Sequence, residues 1–369
     1  MTVRRQRYVV IPPSACPLAI QLPGGHPPAE IELDMADVAR CALAEMFQTA
    51  PHSASTFAFL EDLLAPGTAL TWLESGPGRG AEMRRSFSGM FGRFFARAYL
   101  QVHHDYSWFS AIDGNSFHLS PSWRVTRKPD AKTEMPDWVC ARPGELAIAE
   151  AKGSHQSGNA LGVTHPGPIK TAAGQIEGVV VQKRLGAGRF NWTNKKVKGW
   201  AVMSRWGLTS PPRAPYLFAL DPDTDGEPLQ PAEAEELVEL VARGHVEQLA
   251  SGLGLLKASE QGFIRTTRLR VRLGDDDPGG VYAGVVVSPF GVLNIDVAAA
   301  RQVAALLPDP EVVQFLGLEE RVLDDYLAGG PISPVKRRAL GERTTIGNDG
   351  LMLASIKQTV ELGTDSATS

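Results

Sequence analysis

The stretch 137–152 constrains the fold of this chain more than any other. Residues 137–141 (DWVCA) and 145–152 (ELAIAEAK) are two apolar runs separated by Arg142-Pro143-Gly144. Pro and Gly at the connecting positions mark a tight turn, so the two runs predict a β-hairpin. The second run places Ala147, Ala149 and Ala151 on one strand face, small enough for a helix to pack closely. It ends in Glu150 and Lys152, two charged residues that share the other face. A hairpin that needs a helical cover predicts an α/β layer arrangement.

The flanking sequence supplies such helices. Residues 81–102 carry Phe87, Phe91, Phe94, Ala98 and Val102 at three- and four-residue steps, one wide apolar stripe. Residues 169–182 read as a second helix with Pro168 near its first turn. Strands are expected at 7–12, 199–205 and 215–220, and a helix at 36–48 with Asp34 as its cap. After the turn cluster at 221–227 the pattern changes to a helix over 232–249, a hairpin pair over 268–273 and 281–287, a strand at 292–296 and a helix over 297–307. The division expected is an N-terminal extension over 1–79, an α/β core over 80–222, an accessory α+β lobe over 223–335 and a mobile tail over 336–369.

Composition narrows the classes. The 369 residues have 43 % hydrophobic and 21 % charged side chains, a globular balance. A net charge of −4 argues against a wholly basic binder but not against a local basic groove. Three cysteines, Cys16, Cys41 and Cys140, are too scattered for a disulfide framework or a cysteine-rich zinc site, which fits a reducing cytoplasm. The N-terminal stretch is basic, but Pro12, Pro13 and Pro17 break its apolar part, so a secretion signal is not expected. No apolar run approaches the ~18 residues of a membrane span. P-loop, HExxH, CxxC and GxSxG patterns are absent from the sequence.

The chemistry lies in the hairpin. Asp137 opens the first strand and Glu150 sits near the end of the second. A hairpin brings the two carboxylates together as a site for a hard divalent cation. A lysine beside such a cation orients water or stabilises charge on a phosphate. The alternative reading of Glu150 and Lys152 is an ordinary strand-end salt bridge.

With Pro136-Asp137, Glu150-Ala151-Lys152, a helix before the hairpin and a helix after it, residues 80–222 resemble the PD-(D/E)xK nuclease superfamily. The resemblance implies a restriction-endonuclease-like core, a mixed sheet flanked by helices. It implies a divalent-metal-dependent nuclease hydrolysing DNA phosphodiester bonds with Mg²⁺ (or Mn²⁺), with restriction or phage defence as one setting. Asp137 and Glu150 would be metal ligands, and Asp137, Glu150, Lys152 and Gln175 catalytic, Gln175 matching a glutamine many members carry on the following helix. Many members also carry a Glu on the first helix; here Gly92, Ala96, Tyr99 and Leu100 fit that setting, but Arg93 stands in the Glu position. Arg93 is then a candidate phosphate contact.

A second group of candidates follows the second helix. Lys183, Arg184, Arg189, Lys195, Lys196 and Lys198 interleave with Phe190 and Trp192 in what reads as a basic connection. Cations neutralise phosphates and aromatics stack on bases, so this stretch is the expected nucleic-acid contact. Two functional readings stand side by side: an active nuclease, and a non-catalytic nuclease-fold protein that binds nucleic acid or scaffolds a larger complex. A homodimer or a partner subunit docked through the C-terminal lobe is a further expectation.

Overall fold

The computed structural model describes residues 6–10, 30–47, 64–67, 71–74, 76, 80–155, 165–186, 191–210, 212–213, 215–259, 262–266, 268–274, 277, 279–289, 291–341 and 343–362. They form two compact units, one from the described parts of Gln6–Leu33 and Leu63–Gly244, the other from those of Asp34–Asp62 and His245–Ser369. Both combine helices with β-sheet.

In chain order the elements up to the first long helix are β1 (Gln6–Val10), β2 (Glu30–Asp34), α1 (Met35–Phe47), β3 (Thr71–Trp72) and α2 (Ala81–His104). Then follow β4 (Trp108–Ala111), β5 (Ser116–Ser120), β6 (Trp123–Arg127), β7 (Trp138–Arg142), β8 (Glu145–Ser154) and α3 (Gly167–Glu177). After α3 come β9 (Val179–Arg184), β10 (Trp192–Lys196), β11 (Lys198–Arg205), β12 (Gly207–Thr209), β13 (Pro212–Arg213), β14 (Tyr216–Leu220) and β15 (Glu227–Pro228).

The first unit is built on a seven-stranded sheet ordered β2-β1-β14-β11-β8-β7-β4. β8 is central, antiparallel to β7 and parallel to β11. Parallel neighbours need a crossover, and the chain between them includes α3, which packs on both. Helix α2 packs on the same two strands. Its stripe is buried through Phe91, Phe94, Phe95 and Ala98. The rings of Phe91 and Phe95 meet Trp206 edge-on, and Trp206 stacks on Trp72 with centroids 4.2 Å apart. Asp105 in the left-handed region ends α2 and turns its N–H back to the Leu100 carbonyl.

A second sheet of this unit is ordered β15-β10-β9-β6-β5. It corrects two expectations. The helix over 169–182 stops at Glu177. A Cβ on Gly178 would overlap the Thr133 hydroxyl, and the run Val179–Val181 is β-branched and pairs with β6 instead. The stretch 183–198 is accordingly no basic connection. Its described residues lie largely in β9, β10 and the start of β11, with β9 and β10 antiparallel.

The second unit takes in α1. Downstream, α4 (Pro231–Gly252) spans the division after Gly244, followed by β16 (Leu256–Ser259), β17 (Gly262–Arg265), β18 (Leu269–Leu273), β19 (Tyr282–Ser288) and β20 (Gly291–Leu293). The remaining elements are α5 (Val297–Ala305), β21 (Gln314–Glu319), α6 (Glu320–Leu327), β22 (Arg338–Ala339), β23 (Thr345–Ile346), β24 (Leu351–Ser355) and β25 (Thr359–Glu361). An antiparallel sheet ordered β22-β23-β24-β21-β19-β18-β25 forms the unit's frame, with β20 beside β19. Helix α1 is capped as expected, with the Ala36 amide donating to Asp34 Oδ1 at 2.9 Å. It carries the fully buried Arg40, which bonds Asp37 and Asp349. The unit therefore joins residues from both sides of the core in the chain, unlike the sequential division expected. The segment 336–362 is not a tail: it supplies four strands, with Leu351–Ser355 wholly buried, because Leu351 to Ala354 form a continuous apolar run that a strand buries on both faces. Residues 363–369 lie outside the described ones.

Candidate active site

The hairpin forms as its sequence dictates, with Trp138 opposite Ala149 and Arg142 opposite Glu145. One step beyond the ladder, Asp137 faces Glu150. The Asp137 amide donates to Glu150 Oε2 at 2.9 Å, and the Ala151 amide donates to Asp137 Oδ2 at 2.8 Å. Each carboxylate is thus tied to the backbone beside the other. Lys152 Nζ donates to Glu150 Oε1. Arg93 Nη1 donates to Asp137 Oδ1, and its guanidinium lies over the Trp138 ring, 4.5 Å from the centroid.

Glycines set this spacing. A Cβ on Gly92 would overlap the backbone of Lys152 and Gly153, and one on Gly153 would overlap the Ser88 carbonyl oxygen. Backbone therefore meets backbone where α2 crosses the end of β8, which brings Arg93 within reach of Asp137. Ser88 Oγ also lies 3.1 Å from His155 Nδ1 at this crossing.

Glu150 is 3 % exposed. Burial pushes its carboxyl up to about 8, the neighbouring Asp137 charge pushes the same way, and Lys152 pulls back. A buried carboxylate with this bias gains most from a nearby cation. Gln175 is buried as well, with Nε2 donating to the Met135 carbonyl at 3.3 Å, two residues before Asp137. Its Oε1 is buried without a hydrogen-bond partner. The two carboxylates offer hard oxygen donors of the kind Mg²⁺ or Mn²⁺ takes. Among the described residues no group of three or more His, Cys, Asp and Glu side chains is placed to hold a metal.

The structure brings Asp137, Glu150, Lys152 and Arg93 together, with Gln175 at the entry to β7. The other described candidates lie elsewhere, Lys183, Arg184, Trp192, Lys195 and Lys196 on the second sheet and Lys198 at the start of β11. Lys183 and Lys195 both reach Glu233 at the start of α4. Lys196 pairs with Asp223 and Lys198 with Asp221. Arg184 stands opposite Trp192 in the β9–β10 register. Arg189 lies outside the described residues. Sequence reasoning passed over Trp138 as the platform under Arg93, though an aromatic next to the Asp137 position was the available signal. It also passed over Arg124, whose guanidinium covers the ring of Trp192.

No family model, curated protein or solved structure matches the chain. Among the described residues no helix is long and apolar enough to cross a membrane.

Proposed function

We propose that this chain is a divalent-metal-dependent nuclease with a restriction-endonuclease-like core, hydrolysing DNA phosphodiester bonds. The observation that carries the reading is the mutual anchoring of Asp137 and Glu150 through each other's backbone, with Lys152 on Glu150 and Gln175 bonded to the Met135 carbonyl. Asp137 and Glu150 would hold Mg²⁺ or Mn²⁺, which supplies Lewis-acid polarisation of a phosphoryl oxygen and a more acidic water. Lys152 presents a positive charge at the same point and stabilises the charge that builds on the phosphate as water adds and the P–O bond to the leaving oxygen breaks. Gln175 fixes the approach to Asp137 through its bond to the Met135 carbonyl. Restriction or phage defence, in the cytoplasm, is the setting this reading carries with it.

The test is cleavage of plasmid and linear DNA by the full chain with Mg²⁺ or Mn²⁺, with excess EDTA, and by Lys152→Ala. The reading expects cleavage that needs the metal, and a rate at least ~10²-fold lower in Lys152→Ala with DNA affinity and thermal midpoint retained. Full activity in EDTA, or a wild-type rate in Lys152→Ala, overturns it.

One observation favours a second reading, a non-catalytic nucleic-acid-binding or scaffold subunit: Arg93 occupies Asp137 where an acid would add a ligand. Calorimetric titration with Mn²⁺ separates the two. Binding that is lost in Asp137→Ala supports the nuclease, and absence of binding supports the scaffold.

A further inference from the structure

We propose that the open face of the sheet β10-β9-β6-β5 is a binding surface for a single strand of nucleic acid. This inference rests on the nuclease reading for its biological use, since it names the form of substrate, but not for the binding itself.

The register lines up one row across the four strands. His118 pairs with Arg124, Arg124 with Gln182, and Gln182 with Asn194. Alternation puts all four on one face, with Arg184 and Trp192 two positions further along β9 and β10. The row is held in place from within. Arg124 Nε donates to Gln182 Oε1 at 2.9 Å, and Gln182 Nε2 donates to Asn194 Oδ1 at 2.8 Å. The Arg124 guanidinium lies over the Trp192 ring at 4.0 Å, and the His118 ring meets Trp192 edge-on at 6.5 Å. Guanidinium and indole thus stack on each other, with the imidazole at the edge of the indole and the amides alongside.

Charge is sorted between the two faces. These four strands carry Arg124, Arg127, Lys183, Arg184, Lys195 and Lys196 and no Asp or Glu. Arg127, Lys183 and Lys195 alternate to the other side, where both lysines meet Glu233. On the open face Lys196 meets the exposed Asp223, while Arg124 is joined to no carboxylate among the described residues. The cations of this face, with Asp223 beside Lys196 at one side, complement a phosphate chain.

Shape selects the form of that chain. Four strands at about 4.8 Å spacing make a face ~14 Å across, too wide for the ~12 Å major groove, which admits a helix or a two-stranded ribbon. Splayed bases of a single strand, by contrast, stack on aromatic rings and guanidinium planes and offer their edges to amides such as Gln182 and Asn194.

The experiment is fluorescence anisotropy of the full chain with labelled ~20-nucleotide probes in excess EDTA, where metal-dependent cleavage is silent. The probes are single-stranded DNA, single-stranded RNA of the same sequence, and the DNA duplex. Tight binding of either single strand, about tenfold over the duplex, is expected, and the two single-strand probes show which sugar is preferred. Trp192→Ala and Arg124→Ala should each lower that affinity about tenfold, whereas Trp192→Phe keeps a stacking face and most of the affinity. Equal or tighter binding of duplex overturns the proposal. So does unchanged single-strand affinity in alanine variants whose thermal midpoint is native. Should either alanine variant unfold, a loss in folded Arg124→Gln supports the surface and an unchanged affinity overturns it. A chain that binds single strands but never cleaves keeps this surface and sinks the nuclease; one that cleaves but binds independently of Arg124 and Trp192 does the reverse.

Discussion

Arg93 and Asp137 form an ion pair across the α2–β7 contact, with the guanidinium resting on Trp138. The pair uses one oxygen of the carboxylate that would hold a cation, so Arg93 and a metal compete for Asp137. Both side chains keep some solvent access, 33 % and 18 %, which limits the pair to about 0.2–1 kcal/mol. Arg93→Ala should therefore tighten Mn²⁺ binding by up to about fivefold, and Arg93→Glu by more, since it adds a hard oxygen. Isothermal titration in the order wild type, Ala, Glu checks this. A flat series means that the guanidinium swings away at no cost.

Glu150 gives the metal-free protein a pH signature. Its carboxyl is pushed up to about 8 in the fold from an ordinary value of 4.5. The protonated form is the one the fold favours. The stability it contributes is complete below about 4.5 and is lost as pH rises through about 8. Glu150→Gln keeps a neutral amide there at every pH. The variant should gain on the wild type across that window in urea unfolding with EDTA present, by an amount on the order of a few kcal/mol at the top. Saturating Mg²⁺ should shrink the gap by favouring the charged form. Parallel curves from pH 5 to 9 would show that Glu150 titrates normally.

Gly153 carries the closest approach in the site. A methyl group there would overlap the carbonyl oxygen of Ser88, a backbone atom that no side-chain rotation can move. Overpacking usually costs about 1–3 kcal/mol, and backbone against backbone lies at or above the upper end. Gly153→Ala should lower stability by ~3 kcal/mol in denaturant unfolding. It should also separate α2 from β8, so that Arg93 loses Asp137. A variant of native stability would mean that the crossing is looser than these contacts require.

The hairpin was legible because its information is local. Alternation, the Pro-Gly turn and two charges at a strand end lie within sixteen residues, and the register of β7 and β8 follows from them. The α2 stripe was legible for the same reason. The end of α3 was not, because Val179–Val181 satisfies a helical apolar stripe as well as a strand, and only pairing with β6 decides between them. The tail 336–362 misled because its short strands are stabilised by β21 and α1, partners distant in sequence. The fate of Lys183 and Lys195 was hidden likewise: Glu233, some fifty and forty residues on, meets both on the side away from Arg124.

That sorting yields the last prediction. Lys195 is buried, with its ammonium 3.1 Å from Glu233, which Lys183 also reaches at 3.2 Å. Removing one partner of a buried pair leaves the other charge poorly compensated, which is the expensive way to break it. Here Lys183 remains to meet Glu233, so the loss is partial. Lys195→Ala should cost about 1–3 kcal/mol of stability. The lysine points away from the open face, so affinity for single-stranded DNA and its dependence on salt should stay at wild-type values. Arg124→Ala should show the opposite pattern, with little change in stability, weaker binding and a salt slope lower by about one. Measuring thermal midpoint and salt-dependent affinity on both variants compares two cations of the same sheet on opposite faces. If Lys195→Ala instead weakens binding at unchanged stability, the charge on β10 serves nucleic acid from the side that holds Glu233, and the division between the faces is wrong.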